Sequence, residues 1–209
     1  LLKEGSPIRN EVSVTGLVQE DGGWTVICDT ASFTAKHVIL CGGAGAEALI
    51  RTAGIITDRL QVTSGQISLM PEHTSLSALS KTLNYGGYLI PVRHQAQICG
   101  ASFALSATTD ITVEAHHHNL ALMPEQLHSL AGDVDEFLGR TSLRLAVTDR
   151  LPLSGQIVPG LSVLSCLGAR GLTNALFLAD DLVRRLSGRP ALMDIPLQAA
   201  LDPKRLRAC

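Results

Sequence analysis

The stretch from Leu164 to Gly188, LSCLGARGLTNALFLADDLVRRLSG, sets Gly168 and Gly171 between an apolar run and a helical pattern. A helix start carries backbone N–H groups without partners and a partial positive charge. Glycines in front of it let a ligand approach the main chain closely. Gly168, Ala169, Arg170, Gly171, Leu172 and Thr173 are therefore a candidate cofactor-facing loop. A plain tight turn between a buried strand and its packing helix accounts for the same residues, and a lone GxxG does not separate the two readings. Gly42 and Gly43 end a second apolar run, His37 to Cys41, as a close approach to a cofactor or as a simple strand-end turn. His116, His117 and His118 invite a metal reading. Consecutive residues on a strand point to opposite faces, and no carboxylate or cysteine set joins them, so a solvated loop and no metal are expected.

These groups need elements to hold them. EVSVTGLVQEDGGWTVICDT alternates apolar and polar residues around Asp21-Gly22-Gly23, a hairpin pattern. Ala46 to Ala53 suits a short helix. RLQVTSGQISLMP reads as a strand, with Gly65 a bulge or a close-approach point. YGGYLIPV and AQICGASFAL form a second hairpin, and RTSLRLAVTDRLPLSGQIV returns to strands and turns. Asp149 and Pro152 suit a turn. The spacing of Ala175, Leu178, Ala179, Leu182 and Leu186 predicts a helix from about Thr173 to Ser187, capped by Thr173 or Asn174 and stopped by Gly188 and Pro190. Strands dominate the middle, with strand–loop–helix elements at both ends. The pattern predicts an α+β chain in which an antiparallel block interrupts an α/β block.

Composition narrows the classes. The chain has 209 residues, 45% hydrophobic and 17% charged, enough for a real core. Aromatics are only 3%, so Leu, Val, Ile and Ala must build that core. Net charge is −2 with no long basic run, so charge alone argues no nucleic-acid footprint. Five cysteines without a CxxC pair speak against a disulfide framework or a zinc site, and for a reducing, cytoplasmic setting. Cys28, Cys41 and Cys166 lie in apolar runs and are expected to be buried thiols. No apolar run reaches membrane-span length and no signal peptide opens the chain. The opening LLKEGSPIRNEV begins with Leu1 and reads as the inside of a longer polypeptide.

LGARGLTNALFLADDLVRRLSGRPALM, followed by LQAALDPKRL, resembles the C-terminal flavin domain of the bifunctional tRNA 5-methylaminomethyl-2-thiouridine biosynthesis family. That family shows a G-S-R-G-L-T loop and a closing A-L-x-P-x-R. Gly168 to Thr173 and Ala200 to Arg205 match them, with Ala169 in place of the serine and Leu176-Phe177 in place of an Ala-Pro-like pair. Val38 to Gly43, Gly65-Gln66, Tyr85 to Pro91, Cys99 to Phe103 and Arg144 to Pro152 match further family motifs in order. More broadly, the chain resembles the D-amino-acid oxidase and glycine oxidase superfamily.

The resemblance implies a D-amino-acid-oxidase-like fold, with residues 1–55 and 141–209 as a partial FAD-binding domain and 56–140 as an antiparallel substrate domain. It implies oxidative removal of the carboxymethyl group from 5-carboxymethylaminomethyl-uridine at the tRNA wobble position. Glyoxylate leaves and an aminomethyl group remains. tRNA is the implied partner, with a fused methyltransferase domain using S-adenosylmethionine, and no membrane. FAD carries the hard step and the protein supplies orientation and electrostatics, so no Ser-His-Asp set is expected. Gly42, Gly43 and Gly168 to Thr173 would face the flavin. Arg144 would grip the glycine-like carboxylate in a bidentate fork, its alternative being an ion pair with Asp149. Tyr88 would line the site, or fill the sheet core with its hydroxyl at the edge.

A GxGxxG fingerprint for the cofactor's diphosphate is missing from the 209 residues; CGGAGAEAL, the nearest stretch, has the wrong spacing. The expected N-terminal βαβ would then lie upstream, and this chain alone would bind flavin poorly. Two other readings stand beside the tRNA-modifying oxidase: a small-molecule amine oxidase acting on glycine or sarcosine, and a catalytically silent binding or structural remnant. LQAALDPKRL favours the first.

Overall fold

The computed structural model describes residues 7–20, 22–52, 58–71, 79–93 and 96–206. The chain forms two compact units, residues 1–60 with 145–209, and residues 61–144.

In the first unit, β1 (Val14–Glu20) and β2 (Gly23–Cys28) pair antiparallel, with Glu20 opposite Gly23. Gly22 takes φ 90 at the turn, a conformation that suits glycine; Asp21 lies outside the described residues. β3 (Ser32–Ala35) completes that sheet. Trp24 is buried beneath it and its indole N–H donates to the Pro159 carbonyl at 3.0 Å. A second sheet places β10 (Leu153–Val158) antiparallel to β11 (Leu161–Ser165), and β11 parallel to β4 (Val38–Leu40). Leu153, Ile157, Leu161 and Val163 are its fully buried core. A 3-10 turn and the short helix α1 (Glu47–Thr52) follow β4.

The helix after β11 is α3 (Gly171–Leu186). It starts two residues before the expected Thr173, because a 3-10 turn, Gly168–Arg170, runs straight into it. Neither Thr173 nor Asn174 caps it; Arg170 holds the cap position and no side chain accepts there. Of the predicted stripe, Leu178 and Leu182 are buried, whereas Leu186 is 36% exposed. The buried face centres instead on Asp181, one turn along from Leu178. Its carboxylate accepts from Leu192 N at 2.8 Å, Met193 N at 3.0 Å and Arg185 Nε at 2.7 Å. Gly188, at φ 68, ends the helix. The last helix, α4 (Ile195–Leu201), is capped by Asp194.

The second unit is built on a five-stranded sheet in the order β6-β7-β8-β5-β9, from β5 (Leu60–Pro71), β6 (Leu83–Asn84), β7 (Tyr88–Arg93), β8 (Ala96–Gly100) and β9 (Leu138–Val147). The core packs Met70, Leu89, Cys99, Met123, Ala131 and Phe137. The three histidines lie neither on a strand nor in a loop but on α2 (Val113–Leu122), whose first turn Thr112 caps by accepting from Ala115 N. A helix turns consecutive residues about 100° apart, so His116 is buried while His117 and His118 are exposed. Two cysteine expectations also change. Cys166 and Cys99 are buried, but Cys28 is half-buried and Cys41 exposed, each at the end of its apolar run. Among the described residues no helix is long and apolar enough to cross a membrane.

Candidate functional site

Strand alternation sorts the second unit's sheet into two faces. Gln66, Ser68, Met70, Leu89 and Cys99 are buried on the face that α2 covers. Their neighbours Ile67, Tyr88 and Gly100 therefore share the other face; Gly100 stands opposite both Ile67 and Tyr88 in the register. A β-carbon on Gly100 would lie 3.2 Å from Ile67 Cγ2 and 3.5 Å from the Tyr88 hydroxyl. Gly65, two residues before Ile67, belongs to the same face. A β-carbon there would lie 1.9 Å from Arg144 Nη1 and 2.7 Å from its Cζ. The fold thus brings Tyr88 and Arg144 onto one glycine-lined face.

Arg144 is half-buried on β9. Its carbonyl accepts from Thr63 Oγ1 at 3.4 Å. Among the described residues its guanidinium has neither a hydrogen bond nor an ion-pair partner. Asp149, the partner in the alternative reading of this arginine, is ion-paired with Arg205. Asp149 sits in the turn after β9, where it accepts from Leu151 N at 2.8 Å and from Arg205 at 3.0 and 3.3 Å. Burial alone would raise the Asp149 carboxyl, but the hydrogen bonds from Arg205 and Leu151 hold it below the usual range. The closing A-L-x-P-x-R motif thus supplies, through Arg205, a clamp on the turn that follows Arg144. The planar fork of a guanidinium matches the two oxygens of a carboxylate.

The opposite face holds a polar network that the sequence reading missed. Gln66 pairs its amide with the Thr112 backbone at 2.8 and 2.9 Å. Asn119 Nδ2 donates to Gln66 O and to Ser68 Oγ, both at 3.0 Å, and Ser68 Oγ meets His116 Nδ1 at 2.7 Å. Burial first, and then the charge of His117, holds His116 below the usual imidazole value. Among the described residues no group of three histidine, cysteine or acidic side chains stands ready for a metal. Tyr85 turns into the core, where burial first, then Cys99 and Tyr88, pushes its hydroxyl up to about 12.

In the first unit, Gly168 is exposed at φ 62, and nothing would lie within 4 Å of a β-carbon on it. Gly171 donates its N–H to Gly168 O, and a β-carbon there would press on Leu167 at 3.2 Å. Arg170 and Thr173 are exposed and Leu172 is 97% exposed; the Ala169 side chain lies outside the described ones. The first turn of α3 holds no acidic residue and no side-chain cap. Gly43 likewise takes φ 55 over open space, whereas Gly42 is tight against Ala46 at 3.2 Å. A mostly apolar cavity of about 340 Å³, lined by Val14, Leu17, Val26, Gly42 and Leu49 among others, opens beside that turn.

Comparison with known proteins gives a consistent neighbourhood. Residues 1–185 match the family described as FAD dependent oxidoreductase (DAO). A protein of Caulobacter sp. (strain K31), named tRNA 5-methylaminomethyl-2-thiouridine biosynthesis bifunctional protein MnmC, is 31% identical over 93% of this chain and 32% of its own length. The protein of the same name from Aeromonas hydrophila is 28% identical over 92% of this chain and 33% of its own length. The chain thus spans about a third of the length of the curated relatives it matches. Glycine oxidase from Geobacillus kaustophilus shares the fold with a TM-score of 0.73 at 17% identity, over 93% of this chain and 52% of that one.

Proposed function

Because the chain belongs to the FAD dependent oxidoreductase family, we propose that it supplies the flavin-edge loop and the substrate seat of an enzyme that oxidises a carboxymethylamino group, N–CH2–COO⁻. The substrate of this reading is 5-carboxymethylaminomethyl-uridine at the tRNA wobble position, the chemistry nearest to the names of its relatives. The observation that carries it is Arg144, half-buried on a glycine-lined face with its guanidinium unpaired among the described residues.

The residues present fit the oxygen-bearing edge of a flavin. No side chain caps the backbone N–H donors in the first turn of α3, of which that of Gly171 goes to Gly168 O, and nothing lies within 4 Å of a β-carbon placed on left-handed Gly168. Such donors stabilise negative charge on an electron-rich ring. FAD, when bound, supplies the two-electron acceptor. Arg144 holds the substrate carboxylate in a two-pronged grip, and Tyr88, on the same face, offers a hydroxyl to the bound group. On the substrate, loss of hydride from the methylene and of a proton from nitrogen gives a C=N bond. Water adds to it, glyoxylate leaves, and the primary amine stays on the uridine. That amine is the acceptor for a methyltransferase using S-adenosylmethionine. The first unit serves the cofactor, the second the substrate, in the cytoplasm where tRNA is modified.

Arg144→Lys tests the reading. Lysine keeps the charge but loses the fork, so KM should rise at least about tenfold while FAD affinity holds. Unchanged KM would refute the role of Arg144. Equal turnover of free sarcosine, with no need for tRNA, would instead favour a small-molecule amine oxidase.

A further inference from the structure

We propose that Gly65 is a positioning residue: by lacking a β-carbon it forms the seat in which the Arg144 guanidinium lies against β5, its outer N–H groups turned to the substrate carboxylate. The inference rests on the reading of Arg144 as the carboxylate-binding residue.

Glycine inside a strand is unfavourable and marks a bulge or a close approach. At Gly65 conformation is not the reason, since its φ lies outside the left-handed region. Close approach is. The three atoms nearest a β-carbon there are all of the Arg144 guanidinium: Nη1 at 1.9 Å, Cζ at 2.7 Å and Nη2 at 2.8 Å. Gly23 and Gly87, which also lack room for a β-carbon, differ. At Gly23 the nearest atom is the Ala35 carbonyl oxygen at 2.6 Å, and at Gly87 it is the Gly100 carbonyl oxygen at 2.3 Å. Those glycines admit main chain; Gly65 admits one functional head group. The main chain that carries it is also tied to β5, because Thr63, two residues before Gly65 on the same face, donates to the Arg144 carbonyl. The guanidinium is the far end of a flexible side chain, so an alanine at position 65 displaces it without moving backbone.

The test measures binding of methoxyacetate, a carboxylate with an ether oxygen in place of the oxidisable amine, by calorimetry with and without added FAD. Wild type, Gly65→Ala, Arg144→Met and the double variant are compared, with circular dichroism and thermal midpoints alongside. Gly65→Ala and Arg144→Met should each weaken binding about tenfold or more, and the double variant should be no weaker than Arg144→Met, since the two act as one unit. Wild-type affinity in Gly65→Ala, with Arg144→Met impaired, would overturn the seat and leave Arg144 standing. Further loss from Gly65→Ala in the Arg144→Met background would overturn it too. No binding by the wild type, or no loss in Arg144→Met, would overturn the carboxylate reading itself, and the seat with it. Should Gly65→Ala lower the midpoint, recovery in the double variant assigns the cost to Arg144, and failure to recover refutes the seat.

Discussion

Gly168 and Gly65 are both glycines beside proposed ligands, and they are there for different physical reasons. Gly65 is buried and makes room for a side chain; Gly168 is exposed and bends the chain at φ 62 over open space. Alanine at 168 would cost about 1–2 kcal/mol for the left-handed backbone, confusing strain with lost access. Asparagine tolerates that conformation but fills the space. Gly168→Asn should therefore keep the thermal midpoint within a few degrees while weakening flavin binding, measured by absorbance titration; retained affinity would show that the loop does not face the cofactor. The sequence made both glycines visible as candidates. What it hid was the partner. That Gly65 is approached closely follows from a glycine in a strand pattern, but that Arg144 does the approaching depends on β9 lying beside β5, a pairing between segments far apart in the chain. The competing partner, Asp149, was nearer in sequence and is taken by Arg205 from the chain's end.

At the scale of elements, legibility follows apolar periodicity. The hairpin β1-β2 and the strand β11 stand out through apolar residues, Trp24 buried in the first and Leu161 and Val163 in the second, even though β11 also buries Ser162 and Ser165. Helix α2 does not, because the residues it buries are His116 and Asn119, and polar positions leave no stripe to read. Helix α3 was readable, yet the centre of its buried face is Asp181, tied to Arg185 and the 192–193 backbone. Removing one partner of such a buried pair strands the other, a loss of about 3–5 kcal/mol. Asp181→Ala should lower unfolding free energy by that amount in a urea titration, and a loss below about 1 kcal/mol would mean the clasp is dispensable. The polar face of α2 gives a pH signature. His116 is held below its unfolded value of about 6.5, so the unfolded chain takes up a proton that the native state resists. Stability should therefore be full above about pH 6.5 and fall as pH drops below it. Asp149 and Asp181, held below the usual carboxylate range, add their loss only as pH falls through about 4. Thermal midpoints at pH 7.5 and 5.5 check the first effect, whose size should shrink in His116→Gln.

Across the whole molecule, the cofactor contacts proposed for this chain are lopsided. The loop before α3 is the part proposed to meet the ring end of a flavin. The nearest approach to a diphosphate fingerprint, CGGAGAEAL, folds into a 3-10 turn and a helix of only six residues, α1, with Gly42 packed against Ala46. A diphosphate is held by a glycine loop opening a longer helix after the first strand of a βαβ unit, and α1, with six residues, offers too little helix dipole for that. The 209-residue chain should then gain little from the adenosine diphosphate half of the cofactor. Riboflavin and FAD, titrated separately against it by fluorescence quenching, should bind weakly and with dissociation constants within about tenfold of each other, a gap of about 1.4 kcal/mol. FAD binding about a thousandfold tighter than riboflavin would mean that these residues hold a diphosphate site in a form no glycine fingerprint announces. The turn at Gly43, open and left-handed beside its apolar cavity, would be the first place to change.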